Sequence, residues 1–210
     1  MLFAGDLIDR IESGYSEAVF ALVAALEARD PYTHGHSARV AQLAVLLGEA
    51  MRLPPEEIRS LTRAGRIHDI GKIAIPDRIL YKPGPLTEEE YTLVRQHPQI
   101  GYDIVRRIPS LWGELPAILH HHEWYDGRGY PADLAGERIP LSARVLAVAD
   151  VYDALTSERP YRRAWTHEAA VAHIRAMAGS QFDPRCVEAF LRVADRWRAR
   201  QAPDPGTADP

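Results

Sequence analysis

The chain has 210 residues, 46% of them hydrophobic and 26% charged, which is enough apolar material for one buried core and rules out a mainly disordered chain. Its 25 Lys and Arg against 29 Asp and Glu leave a net charge of −4, which excludes a general polyanion-binding surface and with it a nucleic-acid polymer as partner. The single cysteine, Cys186, excludes an internal disulfide, no uncharged apolar stretch approaches a membrane span, and Asp6 and Asp9 stand where a signal peptide would be basic, so the expectation is a soluble cytoplasmic protein with no membrane association.

Helical periodicity dominates from the start. Leu7, Ile8, Ile11, Tyr15, Val19, Leu22, Val23 and Leu26 repeat at three- and four-residue steps and predict a helix over about 5–29, which Pro31 must end. Val40, Leu43, Ala44 and Leu47 predict a second helix beginning near His34–Ser37, and Pro55 is well placed to open a third that runs to His68. Residues 74–86, with Pro76, Pro83, Gly84 and Pro85, read as an ordered loop. Thr87 with Glu90 three residues on is a capping box, and the helix it starts is expected to end at His97. Further helices are expected at about 99–107, 114–122, 142–156, 166–178 and 184–199, with a long loop over 123–141. No strand alternation or internal repeat appears. The fold class is all-α, a single helical bundle. The division is an N-terminal helix over 1–29 serving as a linker or for dimerisation, a catalytic domain over 30–199, and a tail over 200–210.

The unusual number is nine histidines, several next to Asp, Gly or another His. His68-Asp69 close the third helix, and an imidazole beside a carboxylate suits Fe, Mn or Zn, although a plain helix end with a Gly71 cap explains the same residues. His36, His97 and His120-His121-His122-Glu123 also fall at helix ends, and Asp150 lies inside an otherwise apolar helical segment where a carboxylate is costly unless paired or metal-bound. His34, His167 and His173 read as surface or capping groups. Several His and Asp side chains on the inner faces of one bundle favour a metal site over each bland reading taken alone.

Here the sequence resembles a known family. His68-Asp69-Ile70-Gly71-Lys72 is similar to the HDxGK signature of HD-domain metal phosphohydrolases, and 121–131, HHEWYDGRGYP, is similar to the HHExxDGxGYP signature of the HD-GYP family. Ile75-Pro76, Lys82-Pro83-Gly84, 150–156 (DVYDALT) and Arg159-Pro160-Tyr161-Arg162 follow in the same order, so the resemblance covers roughly residues 25 to 190. It implies an all-α bundle that hydrolyses the bacterial second messenger cyclic di-GMP to pGpG and/or GMP through a dinuclear metal centre and a bridging hydroxide. The implied metal ligands are His36, His68, Asp69, His97, His121, His122 and Asp150, with Asp69 bridging and acting with Lys72 in catalysis. Trimetal members carry a Glu four residues before the first His ligand. Tyr32 stands there in this chain, so the resemblance implies two divalent ions, Fe or Mn, and not three.

Implied substrate contacts are Lys72, Gly129, Tyr130, Arg159 and Arg162. Lys72 either stabilises a phosphate oxygen or assists proton movement. Arg159 and Arg162 bind phosphate or form a solvated basic turn, and Gly129-Tyr130-Pro131 meets a guanine or phosphate or is a plain turn with a packed ring. Two rivals stand beside this reading: a phosphohydrolase of another cyclic dinucleotide, and a non-catalytic dinucleotide-sensing module that signals to a protein partner through the GYP loop.

Overall fold

The computed structural model describes residue 14 and residues 17–27, 35–158 and 163–201. Ten helices are described there: α1 (17–27), α2 (His36–Ala50), α3 (Pro55–Ile67), α4 (Asp77–Leu80), α5 (Glu88–Val94), α6 (His97–Val105), α7 (Leu115–His120), α8 (Leu141–Thr156), α9 (His167–Ala176) and α10 (Pro184–Gln201). Short 3₁₀ turns cover Ile70–Ala74, Pro109–Glu114 and Gly136–Arg138. Among the described residues the β structure is one isolated bridge, Ala178 with Phe182, so the all-α expectation holds.

Helix α8 is the axis of the bundle. Ala143, Val145, Leu146, Ala147, Val148 and Ala149 are all buried, as expected of a helix surrounded by others. Around it pack the apolar faces of α2 (Val40, Leu43, Leu47), α3 (Leu61, Ala64) and α10 (Val187, Phe190, Val193, Trp197). A second cluster joins Val19 and Val23 of α1 to Ile67, Ile70, Val105, Leu111 and Ile118. Cys186 lies in the core, and burial pushes its thiol up to about 12, which leaves it an inert packing residue. No described helix is long and apolar enough to cross a membrane.

Three local expectations need correction. The capping box forms as read, with Thr87 accepting from the Glu90 amide, but α5 stops at Val94, and His97 opens α6 with Pro98 behind it. A proline cannot continue α5, whereas it fits the first turn of a new helix. Residues 74–86 are not all loop, because α4 occupies Asp77–Leu80 after Pro76. Gly71 does not cap α3 with a left-handed turn. It sits inside a 3₁₀ turn, where an added Cβ would lie 1.9 Å from the His97 carbonyl oxygen.

Candidate metal centre

Helix ends deliver most of the expected ligands to one place. His36 opens α2, His97 opens α6, His68 and Asp69 follow α3, and His121 and His122 follow α7. Asp150 projects from the middle of α8. Helix termini leave backbone carbonyls without intrahelical partners. Three of these imidazoles use such carbonyls: His68 Nδ1 lies 2.9 Å from Gly65 O, His97 Nδ1 2.7 Å from Val94 O, and His121 Nδ1 2.8 Å from Ile118 O. A carbonyl only accepts, so each Nδ1 carries the proton and each Nε2 presents a lone pair. His36 is oriented by a side chain instead, its Nδ1 donating to Asp153 Oδ2 at 2.7 Å. Arg39 fixes that carboxylate in turn, Nε to Oδ1 at 2.7 Å and Nη2 to Oδ2 at 3.0 Å.

Asp69 lies between two groups of donors. Its Oδ1 faces His97 Nε2 at 3.2 Å and His121 Nε2 at 4.0 Å. Its Oδ2 faces His68 Nε2 at 3.5 Å and His36 Nε2 at 3.8 Å, and Lys72 Nζ sits 2.5 Å from the same oxygen. Asp150 Oδ1 completes the second group, 3.3 Å from His36 Nε2 and 3.9 Å from His68 Nε2. Two sets thus have metal-site spacing, Asp69 with His97, His121 and His122, and Asp69 with His36 and His68.

The donor chemistry fits a cation. His68 Nε2 is buried with no hydrogen-bond partner, and His97 Nε2 points at His121 Nε2 across 3.3 Å. Two lone pairs that close repel each other unless a positive charge lies between them, and imidazole with carboxylate is a common set for a divalent ion. Burial, reinforced by His122, keeps His121 well below its ordinary pKa; burial, reinforced by His97, holds His122 down at about 3. Both are therefore neutral, the form that ligates. Burial opposes ionisation of Asp69, but Lys72 and His68 outweigh it and hold the carboxyl well below the usual range. Asp150 is also held low: its hydrogen bond to His36 overcomes burial. His36 goes the other way. Burial would lower it, but Asp150 and Asp153 raise it to about 9.

The loop that follows closes over this centre. Tyr130 stacks on His122 at 4.8 Å between ring centroids, and Arg95 lies 4.8 Å from the Tyr130 ring on its way to Tyr91. Gly129 is there because nothing larger fits: a Cβ would stand 2.2 Å from Trp124 N and 2.4 Å from Glu123 Cα. Buried Glu123 folds the loop by accepting from the Ala132 amide at 2.7 Å and the Leu134 amide at 3.2 Å.

All seven ligand candidates, with Lys72 and Tyr130, therefore converge. Tyr32, Arg159 and Arg162 lie outside the described residues. Asp153 and Arg39, which were not singled out from the sequence, and Glu123, which the sequence showed only as the end of the His120–His122 run, act on the site through other groups. The signal for Asp153 was its position three residues after Asp150, on the same helical face.

Comparison with known proteins shows the family and the fold. The family model described as HD domain matches residues 21–186. The chain is 46% identical over 187 residues to the cyclic di-GMP phosphodiesterase response regulator RpfG of Xanthomonas campestris, covering 88% of this chain and 50% of that protein. It is 39% identical over 190 residues to the 3′3′-cGAMP-specific phosphodiesterase 2 of Vibrio cholerae, covering 89% and 36%. The chain thus spans half or less of the length of these relatives. Among solved structures, a cyclic GMP-AMP-specific phosphodiesterase of V. cholerae superposes with a TM-score of 0.67 at 21% identity, over 88% of this chain and 50% of the other, a likeness of fold.

Proposed function

The chain belongs to the HD domain family, and from that premise we propose that it is a metal-dependent phosphodiesterase that opens cyclic di-GMP at a centre of two divalent ions. The observation that carries the reading is the Asp69 carboxylate, whose two oxygens face two separate groups of nitrogen donors. On this reading His36, His68 and Asp150 would hold one ion, His97, His121 and His122 the other, and Asp69 both. Two such ions supply Lewis-acid charge and acidify water for an in-line displacement at phosphorus. The mixed imidazole and carboxylate set suits iron or manganese.

The chain's own residues would do the rest. Lys72, beside Asp69 and one quarter exposed, places a cation where a non-bridging phosphate oxygen can meet it. Tyr130 is held far above the usual phenol range, by burial first and by Tyr91 and Asp150 in addition, so it stays an O–H donor to a phosphate or ribose oxygen and does not act as a base. Gly129 lets the loop backbone lie against Glu123 and Trp124, which sets the Tyr130 ring over His122. Arg159 and Arg162, which follow the Asp150 helix, are assigned to the phosphates for their forked donors. Hydrolysis of one ester gives pGpG, and a second cut gives GMP.

The named substrate of one relative favours a second reading, 3′3′-cyclic GMP-AMP in place of cyclic di-GMP at the same centre. The test is elemental analysis of anaerobically purified protein together with product analysis on both dinucleotides. Two ions per chain and pGpG formation are expected. Metal-replete protein that leaves both dinucleotides intact overturns the reading, and preferential cleavage of cyclic GMP-AMP replaces the first substrate with the second.

A further inference from the structure

Lys82 and Gly84 have no part in the metal centre, yet they line a cavity that shares a wall with it. The cavity measures about 380 Å³, within the size range of small-molecule sites, roughly 300–1,000 Å³. Lys72 forms the shared wall, and its ammonium is the same group that touches Asp69. The other walls are apolar or flat: Ile79 and Leu80 from α4, Leu86 from the segment before α5, and Tyr91 and Val94 from α5. One end carries charge. Lys82 Nζ lies 2.6 Å from Glu90 Oε2, and that carboxylate also accepts the Thr87 amide at 2.8 Å. The capping box of α5 thus holds the carboxylate in place, and the carboxylate holds the lysine at the cavity.

We propose that this cavity is a subsite for one guanine base of the cyclic dinucleotide, with Lys82 as the residue that selects guanine. The proposal rests on the phosphodiesterase reading and goes beyond it by naming where a base is bound and what distinguishes it. A dinucleotide whose phosphate is at Lys72 must put its bases to the sides of the metal centre, and the cavity begins at that lysine. Tyr91 offers a ring for stacking and the aliphatic side chains offer apolar walls, as base recognition outside a duplex requires. Guanine presents O6 and N7 as acceptors, with the N1 and N2 hydrogens next to O6. A lysine ammonium matches the first pair, and Lys82 is the charged side chain at that end of the cavity. Adenine puts an amino group where guanine has O6, so the ammonium would meet a donor and the pairing would fail.

Two variants test this, each measured on cyclic di-GMP, cyclic di-AMP and bis(p-nitrophenyl) phosphate, a diester with no purine. Lys82→Ala removes the selecting group from a half-buried position. Leu86→Trp fills the cavity and keeps the lysine. For Lys82→Ala, KM for cyclic di-GMP should rise about ten- to a hundredfold, the scale of one charge-assisted hydrogen bond, and the preference over cyclic di-AMP should fall by the same factor. Leu86→Trp should raise KM for both dinucleotides at least tenfold relative to the small diester. Wild-type KM and preference in Lys82→Ala overturn the subsite. So does a loss on the small diester in the same proportion, because the residues would then act through the metal centre. A wild-type protein that cleaves the small diester but no guanine dinucleotide overturns the functional reading and the guanine assignment with it.

Discussion

Gly71→Ala is the smallest change that should dismantle half of the metal centre. The added methyl would lie 1.9 Å from His97 O, 2.7 Å from Gly101 N and 2.8 Å from His97 C. All three are backbone atoms, so no side chain can swing away. Ordinary contact begins at 3.4 Å, which leaves the His97 carbonyl 1.5 Å too close. Relief requires the first turn of α6 to retreat from the 3₁₀ turn, and His97 leads that turn. Its Nε2 would then withdraw from Asp69 Oδ1, now 3.2 Å away, by about the same amount. Misplacement of a reacting group by ~1 Å can cost about a hundredfold in rate. Overpacking of this kind costs about 1–3 kcal/mol of stability, or ~2–4 °C of Tm per kcal/mol in a chain this size. The assay is thermal unfolding plus elemental analysis, with Gly113→Ala as control, since the nearest atom to a Cβ there is Ser60 Oγ at 3.8 Å. The expected result is a lower Tm and a fall from two ions to about one, the His36–His68 half being spared. Equal Tm and equal metal content in Gly71→Ala and wild type would refute the reasoning.

Three further outcomes are expected. Asp69→Ala should lose turnover entirely while far-ultraviolet circular dichroism stays helical, because both donor groups share that carboxylate; residual activity in metal-loaded variant argues against a dinuclear centre. Metal affinity should rise about tenfold per pH unit from roughly pH 6.5 to 9 and then level off, because metal-free His36 holds a proton until about 9 and only the neutral ring ligates. The same protonated ring stabilises the metal-free fold, fully below its unfolded pKa near 6.5 and no longer once the pH passes about 9. Chelator competition across this range checks the slope, and a flat profile contradicts it. Asp183→Ala should cost about 3–5 kcal/mol by urea unfolding, because it takes the carboxylate from Arg144, whose Nη1 now lies 2.5 Å from Asp183 Oδ2 with the aspartate buried and the arginine largely covered; a loss under 1 kcal/mol would show water reaching that pair.

The bundle and its cluster of His and Asp side chains were legible because each signal is local. Apolar spacing marked α2, α8 and α10, and Thr87 with Glu90 marked α5. His68, Asp69, His121 and His122 stood out as runs next to helix ends. His97 lies in the cluster where it was expected but on a different helix, since its spacing from Tyr91 and Val94 continues the α5 pattern and only Pro98 argues against it. The need for glycine at 71 was invisible, because it arises from a contact with residues 97 and 101, far along the chain. Asp153 and Glu123 were equally hard to weigh. A carboxylate that orients an imidazole or gathers loop amides has no spacing of its own, and its role appears only when residue 36, 132 or 134 arrives beside it.

Glu123 has a consequence for how quickly a ligand can be received. A loop that folds only around its ligand must be ordered at each encounter, which slows association and weakens it by the lost chain entropy. Here the segment that carries Tyr130 is tied to a buried anion through two amides and pinned at its other side by the Tyr125 and Asp126 amides, which donate to Gln181 O and Ser180 O. Its ordering is completed when the chain folds. Capture on this side of the centre therefore behaves as docking onto a finished surface, with an on-rate governed by diffusion and charge and not by closure of a lid.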